Sequence, residues 1–277
     1  MINLRKLALQ SAYQIAHCIP APARHAIAEN PLIEGFFRSL SKDQRFEISA
    51  ADNSYTLSFN PLYHGSMKAD FSHLEDYEPG VQAAIVKYLS PGMTTCDVGA
   101  NAGVMSFLMA KQVGAKGAVF AFEPDERNIA CIEDSITANP DFSVQLVQCA
   151  VSSKTGNAIL IKDGGVYTSK LASDGNASGT SVRTTRLDDF FDGLQARLPD
   201  LVKVDVEGAE TEVVAGMTNI LNKAKPVIIC ELHLRDNPEA LSICTTLEAI
   251  GYRCSWIKSD DVDGNRQLLA VHPGREY

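Results

Sequence analysis

The sequence has little that would place it in a membrane. It lacks an apolar run of the roughly 18 residues that a membrane-spanning helix needs. The first helix-like segment, Leu4 to Cys18, is short and polar, and it has no convincing cleavage site of a secretory signal. We therefore expect a cytoplasmic protein without a transmembrane span. The apolar stripe of this segment suits packing on its own domain, although contact with a membrane surface or a partner stays open.

Basic residues are also scarce. The chain has 25 Lys and Arg against 34 Asp and Glu, which gives a formal net charge of -9. Binding to nucleic acid without sequence preference requires clustered Lys and Arg at the phosphates. The composition therefore argues against a nucleic-acid partner.

The seven cysteines show no Cys-x-x-Cys spacing, so a structural zinc site is not expected. Their number is odd and most of them lie within apolar patterns, as is typical of reduced core thiols in a cytoplasmic protein. With 277 residues, 45% of them hydrophobic, the chain can bury one large core, or one domain with an extension.

The glycine turn at residues 99–103 is the most informative motif. An apolar strand ends at Val98, Gly99 and Gly103 follow, and residues 102–113 have the apolar spacing of a helix. This is the opening strand, turn and helix of a doubly wound sheet, in which glycines let the backbone approach a ligand at the helix N-terminus. We therefore predict a nucleotide-type cofactor site here.

A second strand, residues 117–122, brings Glu123 to the same edge of the sheet, where a carboxylate can accept hydrogen bonds from ribose hydroxyls. A dinucleotide-binding turn would have its middle glycine where this chain has Asn101, so pyrophosphate recognition is disfavoured. S-adenosylmethionine has an adenosine and a cationic sulfonium but no phosphate. It suits a turn flanked by Asp97 and Glu123 better.

Strands and helices alternate from Glu78 onward, which indicates an α/β fold with a mostly parallel sheet. The predicted strands are 94–98, 117–122, 143–149, 157–162, 201–206 and 226–232. The predicted helices are 78–89, 102–113, 125–138, 187–198, 209–222 and 238–250. Residues 252–258 and 267–272 are predicted to form an antiparallel pair that closes the sheet. The polar segment 163–181, which contains Tyr167, is interpreted as a mobile loop or a substrate lid.

The residues before this region are predicted to form an extension. Two helices, 4–18 and 24–40, precede a β-hairpin between Phe46 and Pro61 with its turn at Asp52 and Asn53. We divide the chain into an extension, residues 1–75, and a cofactor-binding domain, residues 76–277. The extension is expected to cover the active site or to form a homo-oligomer contact.

Four separated motifs occur in an order that identifies a family. They are Asp97-Val98-Gly99-Ala100-Asn101-x-Gly103, Phe122-Glu123-Pro124, Lys203-Val204-Asp205-Val206-Glu207-Gly208-Ala209-Glu210 and Glu231-Leu232-His233. Together they resemble the FkbM family of S-adenosylmethionine-dependent methyltransferases, over residues 78–233. The resemblance implies a class I methyltransferase (Rossmann-like) fold with a seven-stranded sheet. It also implies O-methylation, usually of sugars or natural products.

On that basis the cofactor can be placed on the strand ends. Asp97 and the backbone of Gly99, Asn101 and Gly103 are expected to cradle its methionine part. Glu123 is expected to bind the ribose, and Pro124 is expected to contact the cofactor. Backbone groups of the segment Gln148-Cys149-Ala150-Val151 should line the adenine.

Catalysis is predicted at the next strand ends, by Asp205, Glu231 and His233. Methyl transfer is an in-line displacement, so the acceptor oxygen must be aligned with the methyl group and must lose its proton. Asp205 can bind the cofactor amine, the acceptor hydroxyl or a divalent cation. His233, with a near-neutral pKa, is the predicted proton acceptor.

Structural roles compete with these assignments. Glu207 and Glu210 are placed in the first turn of a helix, where the macrodipole favours carboxylates without any catalytic role. For Glu207, which is expected at the same edge of the sheet as Asp205, a role in the cleft stays open. Lys203 is expected to pair with a neighbouring acid. The preferred interpretation has no metal, with Asp205, Glu231 and His233 as the alternative ligand set for magnesium or manganese.

The remaining histidines form no recognisable ligand spacing; they are His17, His25, His64, His73 and His272. Two rival functions also stay open. One is a noncatalytic module that keeps the fold for binding, and the other is a nucleotide-dependent oxidoreductase of related fold. The methyl acceptor, a small molecule or a saccharide, is not specified by the sequence.

Overall fold

A computed structural model describes residues 45–60, 64, 72–162, 169–171, 179–235, 237–258 and 265–275. The predicted helices at 4–18 and 24–40, and Tyr167 in the predicted lid, lie outside these residues. Within them, no helix combines the length and apolar character needed to cross a membrane. The homo-oligomer contact through the extension stays a prediction.

A seven-stranded sheet forms the centre of the structure. The strand and helix alternation predicted a mostly parallel sheet, and the family resemblance implied its seven strands. Its strands in chain order are β3 (Thr94–Val98), β4 (Ala118–Phe122), β5 (Val144–Val147), β10 (Leu201–Val204), β11 (Val227–Leu232), β12 (Arg253–Trp256) and β13 (Arg266–Val271). Their spatial order is β12-β13-β11-β10-β3-β4-β5, and β13 is antiparallel to both of its neighbours. The predicted antiparallel pair at the C-terminal end is therefore confirmed, with its second strand inserted next to β11.

Helices cover both faces of this sheet, and each face has its own hydrophobic core. They are α1 (Pro79–Tyr88), α2 (Val104–Val113), α3 (Glu126–Ala138), α4 (Leu187–Leu194), α5 (Glu210–Ala215), α6 (Thr218–Lys223) and α7 (Ser242–Ala249). The helix predicted at 209–222 is two helices. The buried carboxylate of Asp188 accepts hydrogen bonds from the amides of Asn219 and Ile220, at 3.0 Å each, and so caps α6 as a separate element.

A second, four-stranded sheet was only partly predicted. It contains β6 (Ala150–Val151), β7 (Gly156–Lys162), β8 (Ser169–Leu171) and β9 (Thr180–Thr185), in the order β6-β9-β7-β8. Of its four strands, only β7 was predicted, at residues 157–162. β9 is polar and largely exposed, so no apolar alternation marked it. β8 and the start of β9 fall in the segment interpreted as a loop or lid.

The predicted N-terminal hairpin is confirmed as β1 (Phe46–Ser49) paired antiparallel with β2 (Thr56–Phe59). It packs on the end of α3, where the side chain of Asn139 accepts from the amide of Thr56 at 3.2 Å and donates to its carbonyl at 2.7 Å. Leu57 and Phe59 belong to the same core as Phe107 of α2. The hairpin is thus built into the core of one face, and the division at residues 75 and 76 stays a prediction.

Candidate active site

The glycine turn after β3 is held against the end of β4. The amides of Gly99 and Ala100 both donate to the carbonyl oxygen of Phe122, at 3.0 Å each. Gly99 has a φ of 79° and Asn101 a φ of 50°, so both take the left-handed conformation that reverses the chain here. The turn therefore presents its backbone next to Glu123, as predicted.

Glu123 is buried, with only 5% of its surface exposed. One carboxylate oxygen accepts from the amide of Asn101 at 2.8 Å, and the other accepts from the amide of Asp125 at 2.8 Å. Burial raises the pKa of Glu123 to about 8, although both backbone hydrogen bonds act in the opposite sense. Its carboxyl group is thus oriented before any ligand binds.

One cleft joins this turn to the acidic strand ends, and it encloses ≈ 640 Å³, including space open to solvent. Its lining includes six of the predicted site residues: Gly99, Asn101, Glu123, Pro124, Ala150 and Asp205. Val151, from the segment predicted to line the adenine, and the strand-end acid Glu207 also line it. The lining further includes residues that were not predicted as site residues: Phe122, Asn128, Leu160, Leu171 and Val206. Glu123 therefore borders the same space as Asp205 and Glu207, whereas the predicted catalytic residues Glu231 and His233 are not part of its lining.

Three predicted cofactor residues do not line the cleft. Asp97 is fully buried beneath the turn, where the Ser106 hydroxyl donates to it at 2.6 Å and the Lys203 ammonium lies 3.7 Å away. Gly103 begins α2, with a φ of 92°. Cys149 is buried in the core, and burial raises the pKa of its thiol to about 11.

Asp205 lies at the end of β10 between two basic side chains. One carboxylate oxygen is 3.1 Å from the Lys203 ammonium, and the other is 3.8 Å from Nε2 of His233. Lys203 is itself buried and is the sheet neighbour of Asp97. The expectation that Lys203 pairs with neighbouring acids is confirmed.

His233 stands at the centre of four carboxylates. Its Nδ1 is 2.7 Å from Glu210, and its Nε2 is 3.3 Å from Glu207 and 3.8 Å from Glu231. Burial lowers the pKa of His233, but the hydrogen bond with Glu210 and the charges of Asp205 and Glu207 outweigh it and raise the pKa to about 9. The near-neutral pKa predicted from sequence is therefore wrong, because the fold gathers more negative charge around His233 than strand-end spacing reveals.

Glu207 also differs from its predicted placement. Helix α5 begins at Glu210, and Glu207 precedes it with a φ of 55°, so it is not a first-turn residue. It borders the cleft, and burial together with the charge of Asp205 raises its pKa to about 7. Glu210 does lie in the first turn, fully buried against His233. The sequence does contain a signal for these two cleft acids: Asp205 and Glu207 are two residues apart at the end of a predicted strand.

The alternative metal ligands do come together. One ligand atom from each of Asp205, Glu231 and His233 lies within 4.8 Å of the others. Glu231 also accepts a hydrogen bond from the amide side chain of Asn265 at 3.0 Å. Two carboxylates and an imidazole suit a divalent cation in donor type, so this ligand set stays an alternative.

The sheet order, the glycine turn with Glu123, and the acids at the ends of β10 and β11 define the class of this protein. It is a class I, S-adenosylmethionine-dependent methyltransferase by fold and site. The chain belongs to the methyltransferase FkbM domain family, whose profile matches residues 97–254.

Related proteins agree with this assignment. The chain is 29% identical over 180 residues to the hexuronic acid methyltransferase AglP of Haloferax volcanii, covering 62% of this chain and 70% of AglP. It is 29% identical over 168 residues to the 2-O-methyltransferase NoeI of Sinorhizobium fredii, covering 52% of this chain and 66% of NoeI. The crystal structure of the methyltransferase FkbM from Methylobacillus flagellatus KT superposes with a TM-score of 0.52 at 16% identity, over 66% of this chain. The chain spans only 44% of that protein, so the likeness concerns the fold.

Proposed function

We propose that this protein transfers a methyl group from S-adenosylmethionine to a hydroxyl group of a sugar. The observation that carries the proposal is the single cleft that Glu123 and the acids Asp205 and Glu207 share. A relative named for hexuronic acid and another named for 2-O-methylation support a sugar hydroxyl as the acceptor.

The cofactor would lie along the glycine turn. Backbone groups of Gly99 and Asn101 would hold its methionine part, and the oriented carboxylate of Glu123 would accept hydrogen bonds from its ribose hydroxyls. Pro124 and Ala150 would border the adenine. Asp97 would not touch the cofactor. It would support the turn from below through its contacts with Ser106 and Lys203.

The acceptor hydroxyl would bind between Asp205 and Glu207. As the new carbon–oxygen bond forms and S-adenosylhomocysteine leaves, the acidity of the hydroxyl proton rises, so a carboxylate suffices to remove it. We assign proton removal to Glu207, whose pKa is raised to about 7, and orientation of the hydroxyl to Asp205. His233 is an imidazolium below about pH 9 and would balance the charge of the surrounding carboxylates.

The test is formation of S-adenosylhomocysteine with methyl glycosides of a hexuronic acid and of a neutral hexose. Glu207→Gln should lower kcat by about 10²-fold or more, because it removes the proton acceptor, and should leave the KM for S-adenosylmethionine nearly unchanged. Glu212→Gln is the control, since Glu212 is an exposed acid of the neighbouring helix α5. Wild-type activity in Glu207→Gln would contradict its role.

Two further arms separate the alternatives. Binding of S-adenosylhomocysteine without transfer to any hydroxyl would favour the noncatalytic module, and binding of NAD instead would favour the oxidoreductase. The preferred mechanism has no metal, so activity should survive dialysis against EDTA. Activity that is lost there and restored by Mg²⁺ or Mn²⁺ would assign Asp205, Glu231 and His233 to a cation.

A further inference from the structure

A buried histidine outside the matched family domain reaches the cofactor turn. His64 precedes residues 97–254, and only 3% of its surface is exposed. Its Nδ1 accepts a hydrogen bond from the amide of Asn60 at 3.2 Å, so Nδ1 carries no proton. In the neutral ring the proton must then be on Nε2, which makes Nε2 a donor.

Nε2 of His64 faces two amide oxygens of the cleft. It lies 3.3 Å from Oδ1 of Asn101 and 3.1 Å from Oδ1 of Asn128. A donor at Nε2 fixes which way both amides point, because only their oxygens can accept its proton. Both asparagines line the cleft that holds Glu123.

Each of these asparagines in turn contacts Glu123. The backbone amide of Asn101 donates to Glu123 at 2.8 Å, and the side chain of Asn128 forms a hydrogen bond with the same carboxyl group. With its oxygen turned toward His64, Asn128 has its NH₂ group free to donate to Glu123. Asn101 holds a left-handed φ of 50°, a conformation that a side-chain hydrogen bond helps to maintain in a residue other than glycine.

We propose that His64 is a positioning residue for S-adenosylmethionine, which acts through Asn101 and Asn128 to orient the ribose-binding carboxylate of Glu123. This rests on the proposed cofactor site. It means that the functional cofactor site extends beyond residues 97–254 into the preceding segment. Burial lowers the pKa of His64, although its three hydrogen bonds oppose that effect, and the neutral form is the one that the network needs.

Two amide substitutions separate the two nitrogens of His64. In His64→Gln the side-chain NH₂ group can reach the position of Nε2, so the donor to Asn101 and Asn128 is kept. In His64→Asn the shorter amide can replace the Nδ1 acceptor for Asn60 but cannot reach those oxygens. The two variants are therefore matched in chemistry and differ in the contact that the proposal requires.

The measurement is calorimetric titration with S-adenosylhomocysteine, with the melting temperature of each variant as the check on folding. His64→Asn should weaken binding about tenfold, which corresponds to about 1.4 kcal/mol, while His64→Gln should stay within about threefold of wild type. In methyl-transfer assays the KM for S-adenosylmethionine should rise in His64→Asn with little change in kcat.

A second comparison tests the route through Glu123. In a Glu123→Ala background, His64→Asn should cause little additional loss of affinity, because the carboxylate that it orients is gone. Equal weakening by both His64 variants, or a loss in His64→Asn that adds fully to that of Glu123→Ala, would overturn the proposal. If the wild type itself binds no S-adenosylhomocysteine, the cofactor assignment fails first, and this outcome is distinguishable from the others.

Discussion

Gly99 and Asp205 are in contact where β3 and β10 end. A Cβ atom at Gly99 would stand 1.8 Å from the carbonyl oxygen of Asp205, and the φ of Gly99 is 79°. The cofactor turn and the acidic strand end are therefore packed backbone to backbone. Gly99→Ala should cost about 3 kcal/mol or more of the free energy of unfolding, because it adds both a clash and a left-handed alanine. Urea denaturation measures this loss.

Gly92→Ala is the matched control for that substitution. Gly92 has a φ of 85°, but nothing lies within 4 Å of the Cβ position. Gly92→Ala therefore places an alanine in a left-handed conformation without a clash, and we expect it to lower the free energy of unfolding by only about 1 to 2 kcal/mol. Equal losses at the two positions would mean that the contact with Asp205 does not constrain the turn.

Cofactor affinity should depend on the ionisation of Glu123. The carboxylate accepts hydrogen bonds from ribose hydroxyls better than the neutral acid does, and the pKa of Glu123 in the free protein is about 8. As the pH falls below about 8, affinity for S-adenosylhomocysteine should decrease, approaching tenfold per pH unit. Calorimetry from pH 6 to pH 9 checks this. Glu123→Gln should bind weakly and lose this dependence, and a wild-type profile identical to that of Glu123→Gln would contradict it.

His233 should make stability depend on pH. Its pKa rises from 6.5 to about 9 on folding, so the folded chain holds the proton more tightly than the unfolded chain does. The resulting stabilisation is fully present below about pH 6.5 and is lost as the pH rises through about 9, and it amounts to about 3 kcal/mol. The difference in unfolding free energy between wild type and His233→Gln should shrink accordingly between pH 6 and pH 9.5.

His73→Gln is the control for replacing a histidine, because His73 is exposed and is not among the residues paired with the carboxylates around His233. At pH 6 it should lower the unfolding free energy by much less than His233→Gln does. A His233→Gln difference that stays constant from pH 6 to pH 9.5 would show that the proton on His233 does not stabilise the fold.

The sequence predicted elements whose own residues carry the signal. Strand β3 and the turn at Gly99 follow from an apolar run with glycines, and the position of Glu123 follows from the end of the next strand. A local sequence pattern cannot predict the side-chain environments that form when distant segments pack together. The raised pKa of His233 depends on carboxylates from two strand ends and a helix, and the role proposed for His64 depends on how its segment meets Asn101.

Lys203 should stabilise both the fold and the geometry of Asp205. Its buried ammonium lies 3.7 Å from Asp97 and 3.1 Å from Asp205, and Asp97 is fully buried. Lys203→Met leaves that aspartate without its cation, so we expect a loss of about 3 to 5 kcal/mol in the free energy of unfolding. Lys111→Met, which breaks an ion pair with the exposed Asp52, should change the melting temperature little.

The double variant Asp97→Asn with Lys203→Met separates folding from function. Removing both charges should recover part of the lost stability, because Asp97 is then no longer a buried charge without its cation, whereas Asp205 and Glu78 still lack the ammonium. Methyl transfer should stay low, since Asp205 still lacks the ammonium 3.1 Å from its carboxylate. Unfolding curves and kcat measured on the same preparations decide the matter. Recovery of kcat together with stability would mean that Lys203 serves the fold alone and does not position Asp205.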